Sequence, residues 1–131
     1  MVVFEHDLSR AALHAFYRVY NRLGFGFLES VYVNALAIEL ERDGHAVRRE
    51  APIAVMYDGI AIGNYRADLL LDRKLILEVK ADVSFTGAAE RQLMNYLRCS
   101  DVEVGILLVF GLQPRFKRLI HTRDRKPVTS K

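Results

Sequence analysis

The stretch Tyr65-Arg66-Ala67-Asp68-Leu69-Leu70-Leu71-Asp72-Arg73-Lys74-Leu75-Ile76-Leu77-Glu78-Val79-Lys80 decides the fold. Two strongly apolar runs flank Asp72-Arg73-Lys74, a polar trio of the kind that turns a chain. With a three-residue turn there, Leu70 faces Ile76, Leu69 faces Leu77 and Asp68 faces Glu78. Cross-strand partners point to the same side of a sheet, with Cβ atoms about 5 Å apart. Lys80, two residues beyond Glu78, shares its face. Asp68, Glu78 and Lys80, the ionisable side chains within these apolar strands, are therefore predicted to meet at one spot.

Two carboxylates held that close repel each other unless a proton or a cation lies between them. Their oxygens suit a hard ion such as Mg²⁺ or Mn²⁺, which is commonly held by one or two carboxylates with water and phosphate. A lysine beside them can orient a water or neutralise a phosphate. The alternative reading of the same three residues is a cross-strand ion cluster on a solvated sheet face. A register slip of one residue would separate the groups altogether.

Working outward, residues Leu8 to Leu23 place Leu13, Phe16, Tyr17, Tyr20 and Leu23 at helical spacing, with Asp7 and Ser9 as candidate N-caps. Gly24-Phe25-Gly26 interrupts the pattern, and a second helix is predicted from about Leu28 to Arg42. Its apolar positions include Val31, Ala35, Ile38 and Leu40, and Gly44 stops it. Val47, Pro52, Ile53, Val55 and Tyr57 suggest short strands before the Asp58-Gly59 turn. Ile60 to Leu71 and Leu75 to Ala81 read as longer strands. Helical spacing returns over Gly87 to Arg98, where Ala89, Leu93, Tyr96 and Leu97 are candidate contacts. Val102 to Phe110 is nearly continuous apolar, as in a strand buried on both faces, and Phe116 to His121 reads as a last short strand. The predicted order is ααββββαββ, a mixed sheet with helices packed against it, in the α/β or α+β class.

The chain has 131 residues, 51% of them hydrophobic and 27% charged, which fits one compact domain and not a disordered tail. Its longest apolar runs are far too short to span a membrane. The first residues show no basic patch leading into an apolar stretch, so a cytoplasmic location is expected. One cysteine, Cys99, excludes an internal disulfide and any multi-cysteine zinc site. His6, His14, His45 and His121 show no metal-ligand spacing. Gly24-Phe25-Gly26 lacks the context of a nucleotide-binding loop.

Net charge is +3 but uneven: Arg115 to Lys131 carries seven basic residues and one acid, Asp124. Such an end reads first as a solvated terminus, and second as an attractor for a polyanion. The expected organisation is a single domain over residues 1–122 with a basic tail over 123–131.

These motifs resemble a known family. Asp68 followed by Glu78-Val79-Lys80 on the next strand is similar to the Asp…(Asp/Glu)-x-Lys core of the PD-(D/E)XK nuclease superfamily, with Ala67 where the name-giving motif has proline. Gly26-Phe27-Leu28-Glu29-Ser30-Val31-Tyr32 resembles the signature of the GxxExxY proteins, which are grouped with those nucleases. Ala37-Ile38-Glu39-Leu40 and Gln92-Leu93-Met94-Asn95-Tyr96-Leu97 extend the likeness, which runs from about Leu13 to Arg118.

The resemblance implies a restriction-endonuclease-like core and a Mg²⁺- or Mn²⁺-dependent nuclease, with DNA favoured over RNA as partner. It casts Asp68, Glu78 and the backbone carbonyl of Val79 as metal ligands and Lys80 as the residue that positions the attacking water. Glu29 would complete the metal shell, directly or through water. Tyr32, one helical turn on, would orient Glu29. Gln92 and Tyr96, at i and i+4, would point into the same groove toward the substrate backbone or Lys80. Arg66, Arg91 and the basic tail would hold the nucleic-acid backbone without reading sequence.

The other reading is a non-catalytic nucleic-acid-binding or protein-interaction module on the same fold, and a third is an assembly subunit whose apolar face awaits a partner. A homodimer or a partner protein is compatible with each, because so short a chain offers little surface to enclose a duplex alone.

Overall fold

The computed structural model describes residues 5–81 and 87–122. Helices α1 (His6–Leu23) and α2 (Glu29–Arg42) come first, followed by strands β1 (Val47–Tyr57), β2 (Ile60–Leu71) and β3 (Leu75–Lys80). Helix α3 (Gly87–Arg98) then leads to β4 (Val104–Phe110) and β5 (Pro114–Ile120). The five strands form one sheet in chain order. All neighbours are antiparallel except β3 and β4, which run parallel. A parallel pair needs a long crossover, and α3 supplies it. This is the expected mixed sheet flanked by helices.

The predicted order has one strand too many. Val47 to Tyr57 is a single long strand, because Pro52 lies on β1 at the sheet edge, where a missing N–H breaks no ladder.

Alternating side chains of the central strands divide the core in two. Leu69, Leu71, Leu75, Leu77 and Val79 pack with Ile106, Leu108 and Phe110 beneath α1 and α2. Ile76, Leu107 and Val109 pack on the opposite face with Leu93, Tyr96 and Leu97 of α3. Every residue of β4 is buried, as its unbroken apolar run implies. No helix among the described residues is long and apolar enough to cross a membrane.

Several local expectations are corrected. Neither Asp7 nor Ser9 caps α1: Glu5 occupies the N-cap position, and no side chain bonds the helix end. Ser9 is buried, and its hydroxyl accepts a hydrogen bond from Arg118 Nε at 3.0 Å. On α2 the inward face is Tyr32, Leu36, Ala37 and Leu40, while Ile38 is exposed. The face is turned because the ring of Tyr32 stacks on Phe110, centroids 4.0 Å apart. The predicted tail, 123–131, lies outside the described residues. Three of the basic residues counted with it belong to β5, where Lys117 pairs with Glu90 at 2.9 Å and Arg118 holds Ser9.

The seat of α3 on the sheet rests on Gly105. A Cβ built there would lie 2.7 Å from Leu93 Cδ1, so the helix comes this close only over a glycine. Gly105→Val is expected to lower the unfolding free energy by about 1–3 kcal/mol, the usual cost of overpacking. Urea denaturation checks this.

Candidate active site

The β2–β3 hairpin turns at Asp72-Arg73, both with positive φ, and its ladder has the register read from the sequence. Leu71 pairs with Leu75, Leu70 with Ile76 and Leu69 with Leu77. There the backbone ladder stops, one step short of Asp68 and Glu78, and the two carboxylates replace it. The amide of Asp68 donates to Glu78 Oε1 at 2.9 Å. The amide of Val79 donates to Asp68 Oδ2 at 2.8 Å. Each acid thus satisfies a backbone N–H that the parting strands leave behind.

A bulge sets what lies on the other side of Asp68. The Asp58-Gly59 turn pairs Tyr57 with Ile60 and Met56 with Ala61, and then Val55 pairs with Gly63, so that Ile62 is passed over. The shift of one carries Glu50 opposite Asp68, between the Arg49–Leu69 and Ala51–Ala67 pairs. Glu50 has φ of 49°, a left-handed conformation that L side chains rarely adopt. At this level the strands exchange faces: Leu69 belongs to the core under α1 and α2, whereas Ala51 and Ala67 belong to the core under α3. Sequence reading missed Glu50, because the bulge that brings it to Asp68 leaves no turn signature.

Burial dominates the electrostatics. Glu78 is 4% exposed. Desolvation and the nearby charge of Asp68 push its carboxyl up from 4.5 to about 8, against the pull of the Asp68 amide and Lys80. Asp68 is also raised, first by desolvation, while the Val79 amide and Lys80 oppose the shift and Glu29 and Glu50 add to it. Lys80, half-buried on the same side of β3, is the cation that faces both acids.

From α3, Tyr96 reaches the same place. Burial and then the charges of Glu78 and Asp68 push its phenol up to about 12, so it stays a neutral hydroxyl, and Gln92 hydrogen-bonds to it. The i, i+4 pair therefore faces the carboxylates together. Tyr65, missed as a site residue, tilts against Tyr96 with centroids 5.9 Å apart. Regular alternation would put Tyr65 and Asp68 on opposite faces of β2, so the exchange of faces at Glu50 and Asp68 hid it.

Glu29 arrives from the other layer. It is the first residue of α2, and its Oε2 accepts a weak bond from the Ala81 amide at 3.4 Å, just past the end of β3. Tyr32 does not orient it. The Tyr32 side chain is 0% exposed, and its hydroxyl donates to Gly24 O at 2.6 Å and accepts from the Phe27 amide at 3.2 Å. Tyr32 instead closes the loop from which α2, with Glu29 at its head, departs. Gly26, at φ +116°, takes a turn there that a side chain would strain.

Among the described residues, no three His, Cys, Asp or Glu side chains gather closely enough to hold a metal by themselves. The donor set is a pair. Asp68 Oδ2 and Glu78 Oε1 are engaged by amides, which leaves Oδ1 and Oε2. The N–H and C=O of a strand residue point to the same side. The carbonyl of Val79 therefore faces the gap into which its amide donates. Two carboxylates with an unengaged oxygen each and a neighbouring strand carbonyl form a hard donor set that fits a divalent cation completed by water and phosphate.

A mixed sheet covered by helices, with Asp68 and Glu78-Val79-Lys80 on an antiparallel hairpin at its centre, is consistent with a restriction-endonuclease-like fold. The chain belongs to the PD-(D/E)XK nuclease superfamily, whose family model matches residues 6–119. The narrower likeness to the GxxExxY proteins stands on the sequence motifs. No curated protein matches significantly. The crystal structure of SSO0001 is similar in fold, with a TM-score of 0.54 at 18% identity. The match covers 96% of this chain and 61% of that one, so this chain spans less than two thirds of that protein's length.

Two outcomes follow from the site. In the metal-free protein, Glu78 keeps its proton in the fold but loses it on unfolding once the pH exceeds 4.5. Its contribution to stability is full below that value, falls as pH rises, and is lost above about 8. Denaturation in EDTA across this range should show stability falling with pH for the wild type and less steeply for Glu78→Gln. Tyr32→Phe keeps the stack on Phe110 but removes both loop hydrogen bonds. It should lower the unfolding free energy by about 1 kcal/mol, measured by the same method.

Proposed function

We propose that this protein is a nuclease that hydrolyses phosphodiester bonds of DNA with a Mg²⁺ or Mn²⁺ ion held by Asp68, Glu78 and the carbonyl of Val79. The observation that carries the reading is the gap between β2 and β3. There, the buried Glu78 and the half-buried Asp68 are held by strand amides where the backbone ladder has ended, with Lys80 close enough to act on both charges. When bound, the ion would polarise the scissile phosphate and lower the pKa of a water.

The chain's own residues supply the rest. Asp68 and Glu78 are fixed by amides, so neither must reorganise as charge develops. Lys80 lies within reach of both acids, where its ammonium orients the attacking water and offsets charge building on the phosphate. Tyr96, kept protonated, donates toward the phosphate oxygens, with Gln92 holding its hydroxyl. Glu29, at the head of α2, binds water at the edge of the gap. The exposed Arg66 and Arg91 attract the phosphate backbone without reading bases.

The reading is tested by incubating end-labelled single- and double-stranded DNA and RNA with the protein in Mg²⁺, Mn²⁺ or EDTA. DNA should be cut only with metal. Asp68→Asn, Glu78→Gln and Lys80→Ala should each reduce cutting by at least about 10²-fold, the scale on which lost electrostatic groups act. If the folded wild type cuts none of these polymers and binds no Mn²⁺ in calorimetry, the non-catalytic binding module becomes the better reading.

A further inference from the structure

The loop from Leu23 to Leu28 has no place in the chemistry above, yet it adjoins it directly. Between Arg22 and Glu29 no side chain carries a charge or a hydrogen-bonding group. Phe25 and Phe27 are 48% and 46% exposed, and Leu28 is 75% exposed. Such side chains on a floppy segment would collapse onto the body. This loop is held out: the buried Tyr32 hydroxyl fastens Gly24 and Phe27, and the Tyr32 ring is stacked on Phe110 at the end of β4. Phe27 also rests edge-on against Tyr32, at 6.1 Å and 84°. The residue that follows the loop, Glu29, reaches the end of β3.

We infer that Phe25 and Phe27 form a stacking platform for unpaired bases, which makes single-stranded DNA the substrate presented to the Asp68–Glu78 gap. This deepens the nuclease reading and rests on it. The side chains of this loop have no group to pair with a phosphate or a base edge, so what they offer is an aromatic face. In a duplex, base faces are covered by their neighbours, whereas a single strand exposes them. A platform already fixed by Tyr32 loses little conformational freedom on binding. Glu29, which follows the loop, accepts from the Ala81 amide, and this sets the platform beside the end of β3 that carries Glu78 and Lys80.

The test is fluorescence anisotropy in EDTA, where no cutting occurs, with a labelled single strand, the matching blunt duplex and a strand of abasic sites. The wild type should bind the single strand about tenfold more tightly than either control, the scale of one stacked base. Phe25→Leu with Phe27→Leu keeps the apolar character and removes the aromatic faces. This variant should lose about tenfold on the single strand and nothing on the duplex. Phe25→Tyr with Phe27→Tyr should stay within about threefold of the wild type. Thermal midpoints check that both variants fold.

A leucine variant that binds like the wild type overturns the inference and indicates an apolar contact with protein, and so does a wild type that does not prefer the single strand. The parent reading fails separately. A stacking preference without metal-dependent cutting of any polymer keeps the platform and removes the nuclease. Cutting and single-strand binding both indifferent to the leucine substitutions keep the nuclease and remove the platform.

Discussion

The structure depends on one arrangement: two carboxylates, Glu78 buried and Asp68 half-buried, at the point where β2 parts from β3. A carboxyl in the central strand of a sheet is costly to bury as a charge, and Glu78, almost wholly enclosed, holds its proton up to about pH 8. The fold tolerates it because the ladder ends there. The amides of Asp68 and Val79 need acceptors, and the acids provide them. The same parting of strands that would weaken a sheet is what brings the two carboxylates together with the Asp68 and Val79 amides. Stability and chemistry therefore pull apart at this site, since the acids sit where a neutral pair would be easier to bury.

The surrounding layers act as supports for that gap. From one face, α3 brings Tyr96 close enough to feel both acids, with Gln92 bonded to its hydroxyl, and the approach depends on Gly105. From the other, α2 brings Glu29. Its position is set by an aromatic column in which Phe16 and Tyr32 both contact Phe110. The spacing of Gly26, Glu29 and Tyr32 is thus a division of labour along one segment. Gly26 takes the turn, Glu29 meets the end of β3, and Tyr32 ties the turn to the core.

Much of this was legible in the chain. The β2–β3 register followed from placing a three-residue turn at the polar trio 72–74, since the runs on either side are apolar at every position and do not choose an alignment themselves. The continuous apolar run of β4 announced a strand buried on both sides. Less visible was anything that depends on a contact between layers. The role of Tyr32 was misread because i, i+3 spacing puts it beside Glu29 on the helix, while the stack on Phe110, distant in sequence, turns it inward. Glu50 was passed over because the bulge at Ile62 has no residue signature of its own. The caps of α1 were misassigned because Ser9 is claimed by Arg118, from the opposite end of the chain.

By itself, then, the sequence determined most of the elements and the turn at 72–74 that sets Asp68 opposite Glu78. These rest on local periodicity and on a turn, which operate over a few residues. Only the tertiary structure decided how far the β2–β3 ladder runs, which acids are desolvated, and which face of α2 looks inward. Those outcomes depend on packing and burial summed over residues far apart in the chain. A side chain's solvation is a property of everything around it, and no short window of sequence contains that.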